Sequence, residues 1–453
     1  MTRRPQLGAS LAVLAGALVL ATACTPPPAA PGPTAAPPAA KPTTPPAAAA
    51  TTAPAAPTTA PAAAQAKPTS TDLHSPDTAQ VKPTAASAAG QAPASCKVAQ
   101  VYTSPTADKG WSWAHEQSFL AIKKDLPWLD LSIRKDSVPD DNKQAVQDLL
   151  ESMVQQGAKV VYTTSFGFME PTRVVAAKHR DVGFFHASGF PDAKDPPNVG
   201  YYFATIEEGR FITGEIAGLV VEPGASLGYV AAHPIPEVFR GENAFALGVL
   251  KTNPTAKIHN RWTLTWFDPN LEKQAAESLL EPPVRASLLS QHQDSPAAQL
   301  AAQDAGKFGI AYDADMNDQA PKATLTSAVW NWSVHNKPTI NGICTGEWVK
   351  DGRVTIPQEY RNWMGSFKDG TVQVAPLNTA ALANHPRKDQ IQKLYGDEVA
   401  AFKSGAKTFT SVFTGPIKDN SGKVRIEGAP DVAALYDERG QWFVENVVGS
   451  PTP

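Results

Sequence analysis

Cysteine is scarce in this 453-residue sequence: Cys24, Cys96 and Cys344 are all it has. Once Cys24 is set aside, one disulfide at most can form. Aromatic residues are absent before Tyr102. Residues 25–95 also hold few charges (Lys41, Lys67, Asp72, Asp77 and Lys82), while 17 of the 42 prolines fall there. A segment that cannot bury apolar surface cannot offset its ordering entropy, so this stretch reads as a disordered spacer. Basic charge is lacking too. Formal net charge is −3, and the part after the spacer carries about −6, which leaves no cationic stripe for phosphates and argues against nucleic acid as a partner. Neither a P-loop nor a strand followed by G-x-G-x-x-G occurs, so nucleotide phosphates are not expected. Apolar runs stay well below the ~20 residues of a membrane span.

What is present begins with an address. Arg3 and Arg4 precede an apolar run at 11–20, and Ala21-Thr22-Ala23-Cys24 follows. A basic start, a short apolar core and small residues before a cleavage point describe a secretory signal. The cysteine directly after the small residues resembles a bacterial lipoprotein processing site. In that reading 1–23 is the signal and Cys24 is the lipidated mature N-terminus. Residues 24–95 then tether a soluble body to the outer face of the cytoplasmic membrane. An envelope location permits a disulfide, so Cys96 and Cys344 either staple two distant segments or remain free thiols.

From Lys97 onward short β-rich runs alternate with helical patterns. Strands are expected at 98–103, 131–135, 160–164 and 182–186, with a helix at 142–156 whose Val146, Leu149, Leu150, Met153 and Val154 recur at helical spacing. A second series follows: strand 227–231, helix 237–250, strand 257–264, helix 271–280, strand 286–290, helix 297–305 and strand 308–312. Strands interleaved with helices mean βαβ units and parallel sheets. The body 97–453 is therefore expected to be α/β, with one lobe at about 97–204, a second at about 205–325, and returning C-terminal segments such as 371–376 completing both. Beyond Trp330 the pattern loosens.

Parallel sheets bind ligands outside the carboxyl ends of their strands, so the residues after each strand are the candidates. In the first lobe these are Asp108, Trp111 and Ser112, then Phe166, then Phe190. In the second they are His233, Trp266 with Phe267, His292 with Asp294, and Asp313 with Asp315. Aromatics and single polar groups at one edge suit a flat, partly polar ring. Any one of these aromatics alone could equally be packing between lobes. A hydrolase triad of Ser165, His292 and Asp294 lacks the G-x-S-x-G elbow. A metal set of His233, His292 and Asp294 lacks i, i+4 spacing and a cysteine ligand, so neither metal nor cofactor is expected.

Nine motifs in order carry a resemblance: DKGWSWAHEQSF at 108–119, TTSFGFMEP at 163–171, EEGRFITGEIAG at 207–218, HPIPEVFRGENAFALG at 233–248, TWFDP at 265–269, QHQDSPAA at 291–298, YDADM at 312–316, LTSAVWNW at 325–332 and FTGPIKDNSGKV at 413–424. They resemble the basic membrane lipoprotein (purine-nucleoside receptor-like) branch of substrate-binding proteins for ABC importers. The resemblance implies a type I periplasmic-binding-protein fold, with two Rossmann-like lobes joined by a hinge of three crossings. It implies a monomer that captures a purine base or nucleoside without turnover and hands it to permease subunits. Trp111 matches the first-lobe aromatic that stacks on the purine, and Trp266 or Phe267 its second-lobe partner. Ser112 stands where nucleoside-binding members have Asn. Asp313 or Asp315 matches the acid that holds ribose hydroxyls. Trp330 falls where those members have a ribose-facing Lys. With Trp332 it makes the pocket more aromatic, which leads to the expectation of a free base rather than a nucleoside. Alternatives are a sugar-binding protein, a sensory receptor of the same fold and an envelope nucleoside hydrolase.

Overall fold

Strand and helix alternate as expected in the computed structural model, which describes residues 92–453. The signal at 1–23, Cys24 and the spacer up to residue 91 lie outside the described residues. The first series builds β1 (Cys96–Val101), β2 (Leu129–Asp130), β3 (Arg134–Lys135), β4 (Val160–Thr163), β5 (Gly183–Ala187) and β6 (Val199–Ala204). β1 lies between β2 and β3 on one side and β4 on the other, followed by β5, β6 and an edge strand, Asn362–Gly365. Every pairing in this sheet is parallel.

The second series repeats the plan with β7 (Ser226–Ala231), β8 (Lys257–Trp262), β9 (Leu288–His292), β10 (Phe308–Asp313) and β11 (Thr324–Trp330). β7 sits between β8 and β9, then come β10, β11 and Val372–Val374, with Val447–Val448 outside β8. Only the pairing of β11 with Val372–Val374 is antiparallel. In both sheets the strands that follow the first fall on opposite sides of it (β2 and β3 against β4, β8 against β9), so strand order reverses beside it. Such a switch point opens a crevice at the carboxyl ends.

Helices cover both faces, which is why β4 (VVYT) and β5 (GFFHA) are buried at every position. On one face of the first sheet α2 (Lys143–Gln155) and α3 (Met169–Lys178) enclose Val101, Leu150, Val161, Val175 and Phe184. α2 begins where the Asn142 side chain accepts from the Ala145 N–H, satisfying one of its free donors. On the second sheet α6 (Pro269–Leu280) and α7 (Ala297–Asp304) do the same around Val230, Leu279, Leu289 and Ala298. The other faces carry α1 (Trp111–Asp125) with α8 (Ser333–Cys344), and α4 (Glu207–Val220) with α5 (Pro236–Thr252). α4 is buried along its whole length. It lies against α5 at glycines: a Cβ on Gly214 would come within 2.1 Å of the Phe245 carbonyl oxygen, and one on Gly248 within 2.2 Å of that of Phe211.

The chain crosses between lobes three times, and the crossings lie side by side. It passes from β6 to α4 at Thr205, from β11 to α8 at Asn331, and back through 366–371. The Thr205 N–H donates to the Gly365 carbonyl (2.9 Å) and the Asn331 N–H to that of Thr371 (2.7 Å). Glu208 accepts from the N–H groups of Phe367 (2.6 Å) and Phe409 (2.9 Å), anchoring the third crossing. Cys96 and Cys344 form a disulfide that ties the start of β1 to the end of α8. No helix among the described residues is long and apolar enough to cross a membrane.

Candidate functional site

The two switch points face each other, and between them lies a cavity, part of it open to solvent. The first lobe lines it with Thr103 after β1, Thr164, Ser165 and Phe166 after β4, Ser188 after β5, and Trp111 at the start of α1. The second lobe contributes Glu237 in the first turn of α5, Trp266, His292 and Asp294 at the end of β9, and Tyr312 and Asp313 at the end of β10. An outer cleft shares Thr103 and Trp266 with it and adds Asp140, His233, Leu264 and Phe267.

Backbone strain gathers at the same place. Ser188 (φ 62°) and Asp313 (φ 67°) on the cavity, and Ser137 (φ 53°) and Leu264 (φ 59°) on the outer cleft, hold left-handed conformations without being glycine. Each costs about 1–3 kcal/mol and persists only where its surroundings enforce it.

Trp111 is fixed from three sides. Its Nε1 donates to the Thr164 carbonyl (2.6 Å), and its ring meets Trp330 (5.6 Å, 84°) and Trp332 (5.5 Å, 79°) edge-on. Asp108 sets the helix that carries it, accepting from the N–H groups of Gly110 (2.8 Å), Ser112 (3.2 Å) and Trp113 (3.0 Å). Gly110 is where the lobes touch, since a Cβ there would lie 2.2 Å from the Asp294 carbonyl oxygen. Across the cavity Trp266 stands edge-on to His233 (4.7 Å).

Between these aromatics the cavity is acidic. Burial, and then the neighbouring Asp313, push Asp294 well above the usual carboxylate range. Asp313 is raised likewise by burial; its Oδ1 accepts from Trp330 Nε1 (2.7 Å), while the buried Oδ2 has no partner among the described residues. Glu237 is pushed up to about 7, again by burial. His292 is held well below its usual range, so its ring is neutral. Burial favours the protonated form of each carboxyl, which can both donate and accept a hydrogen bond and so suits ligands presenting both.

Of the expected residues, Trp111, Phe166, Trp266, His292, Asp294 and Asp313 line the cavity. The others stand elsewhere. Asp108 and the fully buried Ser112 work inside the α1 turn, where Ser104 Oγ is bonded to both. Phe190 packs 6.4 Å from Phe166. His233 and Phe267 belong to the outer cleft, and Asp315 to a separate cleft beside Trp113 and Trp330. Trp330 and Trp332 stack on each other (4.7 Å, 17°) behind Trp111 and are buried rather than on the cavity wall. Thr103, Thr164, Glu237 and Tyr312 line the cavity without a distinctive sequence signal; Thr103, Thr164 and Tyr312 are the last residues of the expected strands 98–103, 160–164 and 308–312, so reading past each strand end reaches Glu237 alone. The Ser165 hydroxyl donates to Asp140 rather than to His292, so no hydrolase triad is assembled. Among the described residues no group of three acidic, His or Cys side chains is arranged to hold a metal.

Fold and cavity together define a two-lobed protein that encloses a small solute. The chain belongs to the Bmp family of PnrA-like ABC transporter substrate-binding proteins, whose pattern it matches over residues 95–359. Members of this class are extracytoplasmic. A purine-binding protein of Brucella abortus is 33% identical over 335 residues, 74% of this chain and 87% of that protein. A putative ABC transporter glucose-binding protein of Haloferax volcanii is 37% identical over 254 residues, 56% of this chain and 62% of that protein. A solved ABC transporter solute-binding protein from Aeropyrum pernix shares the fold at 15% identity, with a TM-score of 0.56 over 72% of this chain and 93% of that one.

Proposed function

We propose that the chain captures a purine base, or less tightly a purine nucleoside, between its lobes without turnover and delivers it to permease subunits. The observation that carries this reading is the pair of buried carboxyls, Asp294 and Asp313, set between Trp111 and Trp266. The indoles offer faces for a planar ring, worth about 1–3 kcal/mol per stacked base. A carboxyl kept protonated by burial presents O–H and C=O side by side, complementary to a ring nitrogen next to an N–H. The relative named for purine binding supports the same choice. Asp313 already accepts from Trp330, so one of its oxygens is withdrawn from a ribose, which favours the free base. Lipidation at Cys24 keeps the body at the membrane in this proposal; palmitate labelling that survives Cys24→Ser would rule out that anchor.

Acidic floors and aromatic walls also bind sugars, and the Haloferax relative carries a glucose-binding name. Calorimetry with adenine, guanine, hypoxanthine and urate, their nucleosides, and glucose separates the readings. A free base should bind most tightly. Tighter adenosine or guanosine overturns the base preference, and glucose binding without purine binding overturns the purine reading. Release of base from inosine would mean catalysis.

A further inference from the structure

The two indoles of the cavity are linked through one contact between the lobes. Gly110 directly precedes Trp111 and is buried in the turn that opens α1. Its N–H donates to Asp108 Oδ1 (2.8 Å) and its carbonyl accepts from the Ala114 N–H (2.9 Å), so the turn is pinned at both ends. Against it lies Asp294 of the second lobe, whose N–H donates to the Trp266 carbonyl (3.1 Å). The segment around Asp294 is pinned as well. Gln291 Nε2 donates to the carbonyls of Gln293 (3.1 Å) and Ser295 (2.7 Å), and Ser295 Oγ is bonded to Glu272. The approach is too close for any side chain: a Cβ on Gly110 would meet the Asp294 carbonyl oxygen at 2.2 Å, and its carbonyl carbon and Cα at 2.5 Å. Non-bonded heavy atoms settle at ~3.5 Å or more, so a Cβ there would hold the lobes about 1 Å further apart.

We propose that Gly110 sets the width of the ligand cleft and, through Trp111 and Trp266, makes ring thickness a criterion of binding. The proposal rests on the cavity being the ligand site and on a ring lying between the two indoles. Trp111 follows Gly110 in the chain, and Trp266 is joined to Asp294 by a backbone hydrogen bond. A shift at the contact therefore passes to both walls. Attraction between stacked groups falls steeply with separation, and a gap of ~0.5–1 Å forfeits a quarter to a half of it. The narrowest seat thus favours the thinnest ring. An aromatic base is one atom thick, whereas a saturated sugar ring is puckered and carries substituents above and below its mean plane. Gly110 is a positioning residue that selects planar ligands over puckered ones without touching either. Asp294 joins the two roles, with its side chain on the cavity wall and its carbonyl against the first lobe.

Calorimetry on the full chain tests this, with adenine as the planar probe and glucose as the puckered one. Gly110→Ala should weaken adenine binding about ten-fold and glucose binding by less than about two-fold. In a Trp111→Ala background, where one wall is already gone, the same change should cost adenine less than about three-fold, a coupling that loss of folding would not produce. Equal losses for both probes, or additive effects in the two backgrounds, overturn the proposal. So does a wild type that binds glucose as tightly as adenine. A crystal structure of the wild type with adenine decides the matter without any variant. Both indoles should lie against the ring with Gly110 still on the Asp294 carbonyl; a bound base with that contact opened by about 1 Å or more refutes the role of Gly110. Adenine binding with a failed cycle or an opened contact leaves the purine reading standing and this one fallen, whereas no purine binding fails both.

Discussion

Among single residues, Trp111 bears most on ligand affinity. The Thr164 bond and the Trp330–Trp332 pair hold its indole before any ligand arrives, so little side-chain entropy remains to be lost on stacking. Replacing it with alanine is expected to weaken purine binding by about 1–3 kcal/mol. Calorimetry checks this, and an unchanged dissociation constant would make Trp111 packing alone. Residue type let Trp111 and Trp266 be read from the sequence, because a tryptophan just past a parallel strand is either at a site or at a lobe interface. Trp330 and Trp332 show where that reading stops. Nothing in the order of residues tells a lining indole from one stacked behind it. Glu237 illustrates the converse, since an acid in the first turn of a helix has a ready explanation in the helix dipole and draws no notice as a cavity wall.

At the scale of elements, most of the strands and helices placed in 97–313 were readable because apolar runs and amphipathic stretches alternate there, whereas α1, α3 and α4 were not placed. The expected strand 131–135 is instead two short strands, Leu129–Asp130 and Arg134–Lys135, both paired with β1. β9 begins two residues later than the expected 286–290 and runs on through Gln291 and His292. The Ala286 N–H still caps α6 by donating to the Leu279 carbonyl, and polar side chains buried at a strand's carboxyl end do not look like strand. α8 was unreadable for another reason, having Pro338 in its interior and an apolar stripe interrupted by His335 and Asn336. Its place is secured by the bond to β1. That disulfide encloses a chain separation of 248 residues, so replacing both cysteines with alanine should cost about 2–5 kcal/mol in urea unfolding. Ligand affinity should stay as it was: Cys96 opens β1, and the cavity lies beyond its other end, roughly 20 Å away at ~3.3 Å per residue. A variant with unchanged stability would mean the bond constrains nothing.

For the whole molecule the buried acids set the pH response. Burial pushes Glu208 and Glu242 up to about 8, and Glu215 and Glu272, like Glu237, to about 7. In the unfolded chain such groups titrate near 4.3. The folded state therefore keeps protons that the unfolded state releases, and their stabilisation is lost as pH rises through 7 and 8. His115 and His335, pulled down to about 3 by burial, act oppositely, with a contribution present above about 6.5 and lost below it. Above pH 6.5 each buried histidine has only about 0.4 kcal/mol left to gain, less than the acids lose. The urea midpoint should thus be higher at pH 6.5 than at pH 8.5, by more than about 1 kcal/mol at constant salt; a higher midpoint at pH 8.5 would refute this.

The threefold crossing also dictates an order of assembly. β7 to β11 are contiguous, whereas the first sheet lacks its edge strand until residue 365 arrives. A chain that emerges N-terminus first exposes the beginning of the bracketing lobe early and must leave it unfinished. Meanwhile the inserted lobe can form its central sheet. Cys96 waits for Cys344 throughout. The first sheet stays open from β1 until residue 365, and the second still waits for Val372–Val374 and Val447–Val448; in the first interval the unpaired edge of β6 is what a folding factor would have to shield.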